Sequence, residues 1–106
     1  MPKMQLPGFI KIMKVFFDPE FYRQYKKLNV RIQHKIDQHL RIFRKNPIDP
    51  KLNNHLLHEP YQDYRSIDIT VDYRAHYKEL NMRVEVIAYF VLLGTHDELY
   101  KKPLTD

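Results

Sequence analysis

Four polar side chains in the second half of the sequence have the right chemistry for phosphoryl transfer. Asp72 and Arg74 are two residues apart in a segment with strand-like alternation, so we expect them on one strand face, with Asp68 nearby on the preceding strand. His96 follows an apolar run that ends at Gly94. A carboxylate, a guanidinium and an imidazole can transfer protons and stabilise phosphoryl charge without a metal ion. Because RNA brings its own nucleophile, the 2′-hydroxyl, such a set would suffice for a ribonuclease.

Simpler interpretations of these residues also exist. An Asp/Arg pair can form an ordinary salt bridge on a solvated sheet face, and polar residues after a strand often form only a turn. His55 and His58 make an H-x-x-H pair, but a metal site needs three or four ligands and no third ligand is apparent. We therefore expect neither a metal nor a cofactor.

The composition excludes several other classes of function. The chain has 106 residues, which suits one domain over residues 1–106, and it has no cysteine and only two glycines. Thiolate chemistry and glycine-rich phosphate loops are thereby excluded. The longest apolar run, residues 86–93, is far shorter than the ~20 residues of a membrane helix. We expect a soluble protein of the cytoplasm, not bound to a membrane, with a loose N-terminal arm at residues 1–8.

The positive charge is concentrated in one segment. The net charge is +5, and residues 22–45 contain eight Lys or Arg against one acid, Asp37. Such a stripe is often only a solvated helix face, but it also suits a polyanionic partner. The candidates for RNA contact are Arg31, Lys35, Arg41, Arg44, Lys45 and Arg65.

Hydrophobic periodicity predicts the elements that would carry these side chains. A first strand is expected at residues 9–17, a helix beginning at Asp18-Pro19, and a second helix at about residues 30–45 that ends before Pro47. Residues 46–60 are expected to form a loop. Three strands follow at residues 64–69, 72–77 and 83–93, with a turn at 79–82.

This order of elements predicts an α+β fold, β-α-α-β-β-β. Two helices would pack on one face of an antiparallel-rich sheet, and the other face would be dense in polar groups.

Two stretches of the sequence carry a resemblance to a known family. DYRSIDITVDYRAHYK at residues 63–78, followed by VLLGTHDELYK at 91–101, closely resembles the bacterial and archaeal RelE/YafQ-type toxins of type II toxin–antitoxin modules. FYRQYKKL and FRKNPIDPKLNNHLL upstream extend the resemblance to about residues 9–101.

The resemblance implies a RelE/ParE-like fold and an mRNA interferase. Such toxins enter the ribosomal A site and cut mRNA by metal-independent 2′-hydroxyl attack, which leaves a 2′,3′-cyclic phosphate. It also implies a cognate antitoxin that covers the cationic, catalytic face. Operator DNA would be bound only through the toxin–antitoxin complex, with most contacts from the antitoxin.

The family's catalytic residues fall on five positions that match its motifs. His96 would be the general acid, His55 or Asp72 the base, and Arg74 would stabilise charge on the scissile phosphate. Tyr100 would orient or stack on the nucleotide.

Two positions depart from the YafQ-type pattern. Asp68 replaces a second catalytic histidine, and Tyr73 replaces a tryptophan. Asp68 is therefore a candidate whose role is open. The departures keep two alternatives: a catalytically degenerate module of the same fold that binds RNA or antitoxin, and a gyrase-directed toxin of the ParE branch. The intact G-T-H and the Asp72/Arg74 pair favour the nuclease.

Overall fold

The computed structural model describes residues 12–82 and 85–101. Its elements are β1 Ile12–Phe17, α1 Pro19–Lys27, α2 Val30–Lys45, a 3₁₀ turn Pro50–Leu52, β2 His55–Leu56, β3 Arg65–Asp68, β4 Tyr73–Asn81, β5 Glu85–Thr95 and α3 His96–Lys101. The predicted arm at residues 1–8, the start of the first predicted strand at 9–11 and the first two residues of the last one, 83–84, lie outside the described residues.

The strands form one mixed sheet in the order β1-β5-β4-β3-β2. β1 runs parallel to β5, and the other three pairs are antiparallel. The predicted α+β class and antiparallel-rich sheet are confirmed. Within residues 12–82 and 85–101, no helix has the length and apolar character needed to cross a membrane.

Side-chain caps begin both long helices where the sequence predicts. The Asp18 carboxylate accepts the Glu20 amide at 2.9 Å, with Pro19 in the first helical turn. Asn29 is the last residue of the short connection between α1 and α2, and its Oδ1 accepts a hydrogen bond from the Ile32 amide at 3.0 Å. These caps satisfy amides that have no partner inside the helix, so each helix begins at a defined residue.

One face of the sheet packs against α1 and α2 and contains the main core. Phe43 of α2 lies with its ring centroid 5.0 Å from that of Tyr77 on β4 and 5.2 Å from that of Phe90 on β5. The buried members of this core are Phe21, Ile36, Leu40, Phe43, Leu52, Ile67, Ile69, Ala75, Tyr77, Ala88, Phe90 and Leu93. Alternate residues of β3 and β4 supply it, as expected for strands with one face in the core.

The opposite face is polar at its centre and has a small apolar cluster beside it. Leu57, Tyr61, Tyr64 and Leu99 form that cluster, so α3 is anchored through Leu99. The pairing shifts from His76↔Leu92 to Tyr77↔Phe90, which leaves one extra residue, Val91, in β5. This bulge keeps the apolar residues on the helix-covered face on both sides of the irregularity.

Three sequence expectations are wrong in detail. The predicted loop at 46–60 contains the 3₁₀ turn and β2, and the predicted turn at 79–82 falls mostly inside β4, which continues to Asn81. Residues 78–81 are polar or exposed, so their pairing with β5 rests on backbone hydrogen bonds that leave no hydrophobic pattern. The predicted order β-α-α-β-β-β also lacks the short helix α3, which the polar residues after β5 form.

Candidate active site

A cavity of about 230 Å³ opens on the face of the sheet that α1 and α2 leave uncovered. It is lined by Asn53, His55, Leu57, Ser66, Asp68, Arg74, His76, His96 and Tyr100. Five of the six predicted catalytic side chains therefore meet in one place, although they come from β2, β3, β4 and α3. The sixth, Asp72, does not line this cavity.

Strand register puts the polar side chains of the cavity floor next to one another. Cross-strand pairing forms two short rows, His55–Ser66–His76 and Asp68–Arg74. Directly opposed residues have Cβ atoms about 4.5–5.5 Å apart. The floor is thus an array of imidazoles, a hydroxyl, a carboxylate and a guanidinium on rigid strands.

Asn53 organises one side of the cavity from an unusual backbone conformation. It follows the 3₁₀ turn with φ 47° and ψ 49°, a left-handed conformation that Asn tolerates better than most residues. Its side-chain amide donates to Asp68 Oδ2 at 3.1 Å, and its carbonyl lies 2.7 Å from His55 Nδ1. Because a carbonyl only accepts, Nδ1 carries a proton, and Nε2 is the nitrogen that can accept a hydrogen bond when the ring is neutral.

Arg74 is held by a carboxylate and by backbone carbonyls. Its Nε lies 3.0 Å from Asp68 Oδ1, and its Nη1 donates to the carbonyls of Thr70 at 3.1 Å and Val71 at 3.0 Å. Asp68 is in turn held by Asn53. The guanidinium therefore has a set position above the floor, and Asp68 balances its charge.

A capping box fixes the start of α3. The Glu98 amide donates to Thr95 Oγ1 at 3.1 Å, and Glu98 Oε1 accepts the Thr95 amide at 2.9 Å. β5 runs directly into α3, and a Cβ added to Gly94 would lie 3.0 Å from that same Oε1. A side chain at this position would therefore have to displace the Glu98 carboxylate by a few tenths of an ångström.

His96 and Tyr100 form the wall contributed by α3. Their ring centroids are 4.7 Å apart, and the His96 amide donates to the Asp72 carbonyl at 3.1 Å. The His96 side chain is largely exposed, so its imidazole is open to a ligand entering the cavity.

Asp72 does not share a strand face with Arg74, contrary to the sequence expectation. β4 begins at Tyr73, so Asp72 lies in the turn before it, and its side chain is exposed. It lines a separate cavity with Val71, Thr95, His96 and Asp97. Its contact with His96 is through its backbone carbonyl.

Solved structures of this architecture come from several organisms. YafQ from E. coli strain BL21(DE3) superposes with a TM-score of 0.66 at 20% identity, over 83% of this chain and 98% of that one. The YoeB/ParE toxin from Agrobacterium tumefaciens gives 0.65 at 20% identity, over 79% and 99%. The archaeal RelE–RelB complex from Pyrococcus horikoshii OT3 gives 0.63 at 15% identity, over 79% and 94%.

The chain has the RelE/YafQ toxin fold. The resemblance seen in the sequence is thereby confirmed at the level of the fold. No protein-family profile and no curated protein matches this sequence.

On this RelE/YafQ-type fold, two residues of the cavity floor were missed as candidates. His76 and Ser66 are each 1% exposed and line the cavity. Burial lowers the pKa of His76 to about 4, with smaller electrostatic contributions in the same direction from the neighbouring His55, Arg74 and His96. Strand alternation was the available signal, since it puts His76 on the face of Arg74, and Ser66 on that of Asp68.

The other predicted residues lie elsewhere on the RelE/YafQ-type fold. Arg65 is half-buried and donates from Nε to Asn54 Oδ1 at 2.8 Å, on the face away from the cavity. His58 lines a different cavity from His55. The exposed cations of α2, on the far side of the sheet from the active-site cavity, are Arg31, Lys35, Arg41, Arg44 and Lys45.

Proposed function

We propose that this chain is the toxin of a type II toxin–antitoxin module and an endoribonuclease that cuts mRNA in the ribosomal A site. One observation carries the proposal. His55, Arg74, His96 and Tyr100 converge on one open cavity, in a fold shared with proteins named YafQ and RelE. These are the groups that a metal-independent cleavage by the 2′-hydroxyl requires: a base, an acid and a cation.

His55 is the proposed general base. Its Nδ1 proton is committed to the Asn53 carbonyl, so Nε2 can accept the proton of the 2′-hydroxyl. Asp72 was the other candidate, but it faces a separate cavity. The geometry therefore favours His55 over Asp72.

Arg74 and His96 complete the reaction. O2′ attacks phosphorus, the P–O5′ bond breaks, and protonated His96 gives its proton to the leaving O5′. The products are a 2′,3′-cyclic phosphate and a 5′-hydroxyl end. Arg74 stabilises the negative charge on the phosphoryl oxygens, and Tyr100 stacks on a neighbouring base.

Asp68 is better suited to positioning than to proton transfer. Both of its oxygens are engaged, one near Arg74 Nε and one with the Asn53 amide. A carboxylate held in this way keeps the guanidinium at a fixed place above the floor, which favours a pre-organised site.

The proposed partners act on different surfaces. The α2 cations would contact ribosomal RNA phosphates, whereas the uncovered cavity takes the mRNA. A cognate antitoxin would silence the toxin by covering the cavity, and operator DNA would be bound through that complex. The RelE neighbour was solved together with RelB, which supports an antitoxin partner. All of these steps belong in the cytoplasm.

The test is 5′-end mapping of mRNA in a reconstituted translation reaction. Wild-type chain should produce codon-phased cuts that need ribosomes and leave 5′-hydroxyl ends. His96→Ala and His55→Ala should each lower cleavage by roughly 100-fold or more. His58→Ala is the matched control, because His58 is an exposed histidine three residues from His55 that lines another cavity.

The mapping experiment distinguishes the nuclease activity from the role given to each histidine. Cuts that survive His96→Ala would keep the nuclease and reject His96 as the acid. A folded wild-type chain that makes no cuts would reject the nuclease altogether.

One observation favours a second candidate, a degenerate module that binds RNA or antitoxin without cutting. Asp68 already neutralises Arg74, so less positive charge is available to a phosphate. Such a module would bind ribosomes or antitoxin yet leave mRNA intact. If neither binding nor cleavage occurs, inhibition of gyrase is the next assay, because one structural neighbour is named a YoeB/ParE toxin.

A further inference from the structure

Three buried side-chain atoms of the cavity lining have no hydrogen-bond partner among the described residues: Ser66 Oγ, Asp68 Oδ1 and His76 Nδ1. Asp68 Oδ1 lies in the ion pair with Arg74, whereas Ser66 Oγ and His76 Nδ1 have no charged partner of this kind. The Ser66 and His76 side chains are each only 1% exposed, yet both line the cavity. Buried polar groups in folded proteins are nearly always hydrogen-bonded, and leaving one unpaired costs about 1–3 kcal/mol. Two such atoms side by side in a cavity indicate a ligand that binds both.

The two side chains are held as a pair. Ser66 on β3 and His76 on β4 are direct cross-strand partners. The His76 ring makes edge contacts with Tyr61, at 4.8 Å between centroids, and with Tyr100, at 6.2 Å. These contacts limit rotation of the imidazole, so its hydrogen-bonding atoms have defined directions.

The chemistry of Ser66 and His76 favours an uncharged ligand that presents both hydrogen-bond donors and acceptors. His76 is uncharged near pH 7, because burial above all, and then the neighbouring His55, Arg74 and His96, disfavour its protonation. A neutral imidazole offers one donor and one acceptor, and a serine hydroxyl can act as either. A phosphate would be drawn instead to Arg74 and His96, which carry or can carry charge. The edge of a nucleobase presents the matching mixture of donors and acceptors.

The walls of the cavity suit the flat face of such a base. Tyr100 and His96 are exposed rings at its rim, and its volume of about 230 Å³ is that of a small planar ligand rather than a whole oligonucleotide. Aromatic faces stack on any base, whereas selection between bases requires hydrogen bonds to the base edge.

We propose that Ser66 and His76 form the floor of a nucleobase pocket, where they hydrogen-bond the edge of one RNA base stacked against Tyr100. The proposal rests on the function proposed above and adds to it the residues that set base preference. Ser66 and His76 are binding residues in it, with no part in proton transfer.

The test is NMR titration of the full chain with uncleavable trinucleotides. Each probe has a 2′-deoxy central nucleotide, which removes the nucleophile without adding bulk, and the four probes differ in the central base. We expect the His76 imidazole and Ser66 amide signals to shift, with one base bound more tightly than the others. Ser66→Ala and His76→Gln should each lower the affinity for the trinucleotide with that base about fivefold or more, and reduce the preference among the four bases. His58→Gln should bind like the wild type.

Where a trinucleotide does bind, two results would overturn the pocket. One is that RNA moves the signals of His55, His96 and Tyr100 but not those of Ser66 and His76. The other is that Ser66→Ala, with a native-like amide spectrum, keeps wild-type affinity and base preference. Either result leaves the nuclease untouched if mRNA is still cut at ribosomes. If no trinucleotide binds at all, the pocket is rejected, and the mapping of mRNA ends decides separately on the nuclease. A His76 variant that fails to fold does not affect the wild-type titration or the Ser66 variant.

Discussion

The two faces of the sheet use the same strands for opposite purposes. On the face under α1 and α2, β3 and β4 supply Ile67, Ala75 and Tyr77 to the core. On the other face, residues adjacent to these in sequence, Ser66 and His76, line the cavity floor. A strand with a well-packed face can hold polar groups rigidly on its other face, because the core fixes the backbone that both faces share.

The cavity has its own small support. Tyr61 donates to the Leu99 carbonyl, and both belong to the apolar cluster beneath α3. That cluster anchors the helix that contributes His96 and Tyr100. Stability is thus expected to depend mostly on the helix-covered face, and activity mostly on the uncovered one. Four predictions test this division, in order of decreasing effect.

Phe43→Ala should destabilise the fold by about 3–5 kcal/mol, since it removes a fully buried ring from the helix-covered face. Urea unfolding measures this change. Val71→Ala is the control, because Val71 is 89% exposed and should change stability by no more than about 0.5 kcal/mol. If the two variants were equally stable, the main core would not be where we describe it.

His76 should make stability fall in acid. Its pKa is about 4 in the folded state and near 6.5 when unfolded, so between these values the unfolded chain takes up a proton that the folded chain does not. Above pH 6.5 the neutral His76 ring costs the folded state no stability. As the pH falls to 4, about 3 kcal/mol of the free energy of unfolding is lost. The other titratable and charged groups that face this ring are His55, Arg74 and His96. All three are kept in His76→Gln, so this variant isolates the effect of His76.

Unfolding at pH 7, 5.5 and 4 measures the effect. The loss of stability in acid should be smaller in His76→Gln than in the wild type. Equal losses would show that His76 is not buried as a neutral ring.

Thr95→Ala should lower stability by about 1 kcal/mol, because it removes the cap of α3. Cleavage should fall more than this small change in stability explains, since the cap sets the start of the helix that carries His96. Thr95→Ser keeps the hydroxyl and should behave like the wild type in urea unfolding and in mRNA cleavage. A serine variant as impaired as the alanine variant would contradict a capping role.

Arg41→Gln combined with Arg44→Gln should change stability by less than about 0.5 kcal/mol, because both side chains are exposed on α2. Ribosome binding should weaken and become less dependent on salt, by roughly 0.7–0.9 in the log–log slope for each phosphate that the variant no longer neutralises. Binding at several salt concentrations measures this. An unchanged slope would mean that the α2 stripe is only a solvated helix face.

Much of the fold and part of the site could be predicted because their causes are local. The caps at Asp18 and Asn29 act within a few residues, and the apolar stripe of α2 repeats with the helical period. Alternation likewise put Asp68 and Ser66 on one face of β3. Sequence motifs supplied His55, His96 and Tyr100 through the family resemblance.

What local pattern could not predict depends on register and on distant contacts. Asn53 and Asp68 are 15 residues apart, and they meet only because a left-handed residue after the 3₁₀ turn faces β3. Asp72 left the predicted face because β4 begins one residue later, at Tyr73.

The two helices, the alternation of the strands and most of the side chains available for chemistry follow from short-range sterics and periodicity, so they can be read from the sequence. Which of these side chains meet depends on the tertiary fold. Strand pairing and the covering of one face by helices join residues far apart in sequence, and they put the cations of α2 on the far side of the sheet from the cavity.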